Sequence, residues 1–137
     1  MGKAARLEEV FDRQYEDYRS MYQLGLEQRS CIAGEDLAGL DASFGRMHRV
    51  MDRIRLRQTD LDELCSGGVP AGAAERREAL RTIVVELQEL RRVNERAVRQ
   101  LQERTREELK QVQQGRRAAR GYRHSKVEQA RFFDGTR

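Results

Sequence analysis

From Leu37 to Cys65 one set of positions steps through the chain as 37, 40, 44, 47, 51, 54, 58, 61 and 65, an alternation of three and four that never slips. That spacing places Leu37, Leu40, Phe44, Met47, Met51, Ile54, Gln58, Leu61 and Cys65 on a single stripe of an α-helix. A strand, whose side chains repeat every two residues, would divide them between two faces. A stripe this long has to be covered by something of comparable length, so the chain must supply further long helices. It supplies two. Leu7, Phe11, Tyr15, Tyr18, Met21, Tyr22 and Ile32 share a broad face over residues 4–33, and Leu80, Ile83, Leu87, Leu90, Asn94, Ala97 and Leu101 repeat the three-four alternation within residues 73–114.

Breakers set the boundaries. Gly34 is placed to end the first helix and Asp36 to cap the second, while SGGVPAG, residues 66–72, is the strong breaker cluster of the body and predicts the second turn. The expected fold class is all-α: an elongated antiparallel bundle of three long helices with coiled-coil-like packing and a flexible basic C-terminal tail. The helices are expected at 4–33, 36–65 and 73–114, giving a bundle of residues 1–114 and a tail of residues 115–137. At 1.5 Å per residue the first two helices are about 45 Å long and the third roughly 60 Å, so the third is expected to outrun its neighbours after residue 102. Beyond that point Leu109 and Val112 are its apolar residues before Gly115.

Composition fits surface-rich helices: 38% of the 137 residues are apolar, 36% are charged, Pro occurs once and Trp is absent. The longest aliphatic run, Ile83-Val84-Val85, is far below the roughly 20 residues that cross a bilayer, so no membrane insertion is expected and the protein is placed in the cytoplasm. Cys31 and Cys65 fall at opposite ends of the expected hairpin, about 45 Å apart by helical rise, whereas a disulfide needs Cα atoms within about 7 Å. Both are expected as reduced thiols. His48 and His124 have no cysteine partner at metal spacing, and the glycines form no phosphate loop, so no enzyme, metal or cofactor is expected.

Charge is uneven. Residues 115–137 hold seven basic groups against two acidic ones, while residues 1–114 hold 20 against 21. With a balanced body and no reading motif in it, composition argues against nucleic acid as a partner. The tail also carries Tyr122, Phe132 and Phe133, whose burial on a partner is worth about 1.5–3 kcal/mol each, which marks them as candidate docking residues.

Four smaller features bear on packing. Gly39 and Gly45 fall off the seam of the second helix and should each cost about 1 kcal/mol relative to Ala. Gly25 lies in line with the aromatic stripe of the first helix and would let another helix approach. Asn94 sits at a seam position, where a buried amide fixes register or else faces a wet interior; Gln58 is its expected partner. Tyr15, Tyr18 and Tyr22 either fill the core or line a groove at its edge.

A tyrosine-rich first helix, the stretch IAGEDLAGL at 32–40, VNERAVRQL at 93–101 and the Phe-Phe-Asp near the end together resemble the flagellar type III export chaperones of the FlgN/FliT class. Ala97-Val98 stand where that family commonly has two leucines. The resemblance implies a cytoplasmic chaperone that binds late flagellar export substrates, such as hook-filament junction or filament cap proteins, and delivers them to the export apparatus. It further implies that a tyrosine near the C-terminus docks at the export gate, for which Tyr122 is the matching position. Leu101, Leu109 and Val112 are the expected client-binding residues, since an apolar stripe with nothing beside it suits a partner helix. A structural coiled-coil adaptor that self-associates through the same seams is the alternative.

Overall fold

The computed structural model describes the backbone of residues 2–135 and the side chains of residues 2–124. The fold is all-α. Helix α1 spans Lys3–Ala33, α2 spans Leu37–Leu64, and α3 spans Ala74–Gly135, with a single 3-10 turn at Ala71–Ala73 before α3. No strand occurs among the described residues. The chain divides into two compact units, Met1–Val98 and Arg99–Arg137.

The α1–α2 connection is built as the local sequence requires. Gly34 caps α1, the Glu35 N–H donates to the Ile32 carbonyl, and the Asp36 N–H donates to the Cys31 carbonyl at 2.8 Å, the double bond of a Schellman ending. The left-handed conformation falls on Glu35, with φ of 54°, one residue after the glycine that the sequence offers for it. Asp36 then caps α2, its carboxylate accepting from the Gly39 N–H at 2.9 Å. The second turn, residues 65–73, contains Gly68 at φ of 102°.

Within residues 1–98, α1 and α2 form an antiparallel hairpin. Pairs run from Gln28 with Met47 and Arg46 with Glu27 to Gln14 with Ile54, one number rising as the other falls. The early part of α3 runs parallel to α1: Arg76 pairs with Glu8 and Asp12, and Asn94 reaches Gly25. Two apolar clusters hold the unit together. One joins Leu7, Phe11, Leu61 and Ala73 near the second turn, and the other joins Leu24, Val50 and Ile54 along the hairpin. Only α1 and α2 approach each other closely along their backbones; α3 meets them mainly through side chains.

The seam of α2 differs in phase from its expected position. Met47, Ile54 and Leu61 do face inward, but their partners are Ser43, Val50 and Arg57 rather than Phe44, Met51 and Gln58. Ser43 is fully buried, its hydroxyl donating to the Leu24 carbonyl, whereas Phe44 remains 43% exposed. A small hydroxyl that bonds backbone lets two helices come close, and that closeness wins over the larger apolar area of Phe44 one residue later. Polar residues fill α1 similarly. Gln14, with no exposed surface, donates to the Ile54 carbonyl at 3.1 Å and accepts from Arg57 at 3.0 Å, while Tyr15 beside it is turned to solvent.

The third helix does not end at 114. α3 is helical through Gly135, so the basic segment assigned to a tail has helical backbone to that point. An apolar period reports burial, and its absence after Val112 says nothing about local backbone preference. Residues 115–135 contain no Pro and hold five Arg and three Ala, which favour helix, against a cost of about 1 kcal/mol for each of Gly115 and Gly121.

Candidate functional site

A groove of about 610 Å³ opens between α2 and the early part of α3, with α1 as its floor. Phe11 and Tyr18 rise from α1, Leu61 and Cys65 line the α2 wall, and Leu80 and Val84 line the α3 wall. The lips are polar and of both signs: Gln58 and Asp62 on α2, Arg77 and Arg81 on α3. The groove exists because the close approach is reserved for α1 and α2. Of the expected seam residues that the buried stripe of α2 leaves out, Gln58 lies at this groove. Val85, 63% exposed, extends the apolar α3 wall outward. Burial pushes the Tyr18 phenol above its ordinary pKa, so it stays neutral and offers an O–H inside an otherwise apolar floor.

Next to Tyr18 on α1, Asp17 ties the hairpin together. It accepts from Arg57 at 2.6 Å and from Arg53 at 3.2 Å. Burial raises its pKa, but the two guanidinium hydrogen bonds and their charges outweigh that and leave it below the ordinary carboxylate value. The Arg76 pairs with Asp12 and Glu8 fasten the start of α3 to α1.

The expected register pair does not form. Asn94 is buried, but its side-chain N–H donates to the Gly25 carbonyl at 2.9 Å, and its Oδ1 has no hydrogen-bond partner among the described residues. Gln58 lies at the groove lip, where it donates to Asp62 at 3.0 Å and lies 3.5 Å from the Gln14 amide. The approach that Gly25 permits is real: a Cβ there would lie 2.7 Å from Leu90 Cδ2, and this contact sets Asn94 against backbone instead of Gln58. Gly39 also has a packing reason, since a Cβ would collide with the Asp36 carboxylate and sit 3.0 Å from Cys31 Sγ; Gly45 has none, with nothing within 4 Å.

In the unit of residues 99–137, Leu101 is half-buried, Leu109 is 57% and Val112 50% exposed, and every described residue from 102 to 124 is exposed. Tyr122 is also exposed. Phe132 and Phe133 belong to α3, but their side chains lie outside the described residues. Sequence reasoning named these residues and missed the groove, because the groove depends on the phase of the α2 seam. Cys31 and Cys65 are both free thiols. Among the described residues no cluster of His, Cys, Asp or Glu is suited to a metal, and no helix is long and apolar enough to cross a membrane.

Comparison with known proteins returns no family model, no curated protein and no solved structure that matches the chain.

Proposed function

We propose that this protein is a chaperone that holds an amphipathic helix of a client protein in the α2–α3 groove. The observation that carries the reading is that groove: an apolar channel of about 610 Å³, within the 300–1,000 Å³ range of binding clefts, bounded by lips of opposite charge. A client helix would set i, i+3 or i+4, and i+7 side chains between Leu61 and Val84, while Asp62 and Arg77 meet its polar flanks. The sequence resemblance supplies the client class: terminal helices of late flagellar export substrates, held in the cytoplasm until delivery to the export apparatus. Leu101, Leu109 and Val112, in the second unit, are the alternative position for the client contact, and Tyr122 is the position for docking at the export gate.

Calorimetry with synthetic peptides of the terminal helices of hook-filament junction and filament cap proteins tests the reading. Val84→Asp with Val85→Asp is expected to weaken peptide binding at least tenfold while helical circular dichroism is unchanged. If that pair has no effect and Leu109→Ser with Val112→Ser removes binding, the client site lies on the later part of α3. Absence of binding to every such peptide refutes the reading. The exposed Leu109 and Val112 also favour the alternative, an adaptor that self-associates. A concentration-independent dimer in light scattering that becomes a monomer in the Leu109→Ser, Val112→Ser protein would establish it.

A further inference from the structure

The helical course of residues 115–124 gives the basic segment a geometry that an extended chain would not have. At 100° per residue, Arg116, Arg117, Arg120 and Arg123 fall within an arc of about 120° on one side of α3. All four are exposed, and none takes part in an ion pair among the described residues. Between Glu108 and Glu128 the sequence holds six basic residues and no acidic one, so no carboxylate interrupts that face. Ala118, Ala119 and Gly121, all small, lie between the arginines.

We propose that this arginine face binds the phosphate backbone of double-stranded nucleic acid, without reading its sequence. The inference is independent of the client-binding groove. Four arginines and no lysine lie between 116 and 123, and a planar guanidinium matches phosphate in a bidentate way that a lysine ammonium does not. The row runs roughly 10 Å along the helix, and a helix about 10–12 Å across fits the major groove of B-form DNA, about 12 Å wide, so side chains fanned over the arc reach both walls there; on duplex RNA, whose major groove is narrow, they reach the phosphates from outside. A membrane surface fits less well. The opposite side of this segment carries Gln111, Gln114, Ala118 and Gly121, with Tyr122 its one large ring, and lacks the apolar face by which a helix lies in a bilayer interface. The even charge of residues 1–114 argues against nucleic-acid binding only if the protein must use its body; a helical arginine face needs no help from it.

The test is fluorescence anisotropy of the full chain with labelled duplex DNA and duplex RNA of about 24 base pairs. Binding is expected to weaken roughly 10²-fold between about 50 and 200 mM salt, the dependence for four neutralised phosphates. The protein with Arg116→Gln, Arg117→Gln, Arg120→Gln and Arg123→Gln should lose at least tenfold in affinity at low salt, with a shallower salt dependence. A matched protein with Arg6→Gln, Arg19→Gln, Arg29→Gln and Arg49→Gln, which removes the same charge elsewhere, should stay within about threefold of wild type. Circular dichroism confirms that both variants remain helical. No duplex binding at about 50 mM salt, an equal loss in the matched protein, or tighter binding to poly-glutamate or to anionic phosphatidylserine vesicles each overturns the proposal.

Discussion

Ser43→Leu and Phe44→Ser set the two possible seams of α2 against each other. If α2 packs through 44, 51 and 58, then Phe44→Ser removes a core ring and Ser43→Leu changes an outward position. The structure demands the reverse. Leucine at 43 enters a site with no exposed surface and loses the hydroxyl bond to the Leu24 carbonyl. Overpacking costs about 1–3 kcal/mol and the hydrogen bond about 1 kcal/mol, against a gain of a few tenths from helix propensity. The expected loss is therefore about 2–4 kcal/mol. Phe44, 43% exposed, has about half of the 1.5–3 kcal/mol of a fully buried ring to lose, or about 1 kcal/mol. For a bundle of this size 1 kcal/mol moves Tm by about 4–8 °C, so the first variant should melt well over 8 °C lower and the second within about 8 °C of wild type. Thermal melts followed by circular dichroism at 222 nm read the Tm shifts, and urea titration reads the corresponding free energies. A larger loss for Phe44→Ser than for Ser43→Leu would refute the packing described here.

The two helix-two glycines should diverge: Gly45→Ala is expected to raise stability by about 1 kcal/mol, while Gly39→Ala, which forces the Asp36 carboxylate off its cap, should show no gain and lose up to about 1 kcal/mol in the same titration. Asp17 has a lowered pKa in the folded protein, so the stability it confers is complete above its unfolded value near 3.9 and is lost as pH falls through the lower folded value. The stability difference between wild type and Asp17→Asn, about 1 kcal/mol at pH 7 once the half-exposed Arg53 pair is discounted, should accordingly shrink below about pH 4; a difference that stays constant to pH 2 would show that the Arg57 and Arg53 pairs do not hold the hairpin.

Helix number, order and most boundaries were legible because they rest on local chemistry. Asp36 and Gly34 act within one turn of chain, and SGGVPAG breaks helix wherever it stands. The phase of the α2 seam was not legible, because positions 43 and 44 both fit a three-four stripe and the choice turns on how closely another helix approaches. Gln14 was missed for a related reason: an amide on an apolar face reads as an interruption until Arg57 and the Ile54 carbonyl are placed opposite it. Gly25 was read correctly, since absence of a side chain in line with an apolar stripe has few other uses. The helical course of residues 115–135 was not legible because their large apolar residues, Tyr122, Val127, Phe132 and Phe133, follow no helical spacing, and spacing is what periodicity detects. The candidate site depends on two helices that meet only in the fold, so its residues carry no common spacing that would have assembled them in advance.

The short turn between α1 and α2 has a kinetic consequence. Hairpin contacts close loops of 19 residues at Ser43 with Leu24 and 40 at Gln14 with Ile54, whereas α3 must close 64 residues to bring Arg76 to Asp12 and 69 to bring Asn94 to Gly25. Loop entropy and contact order then favour zippering of α1 with α2 first, with α3 arriving on a preformed surface. The same order read backwards makes detachment of α3 the lowest-energy opening of residues 1–98. Amide exchange should accordingly be faster for residues 80–94 than for residues 47–57, and the wall of the groove that carries Leu80 and Val84 is the one that moves.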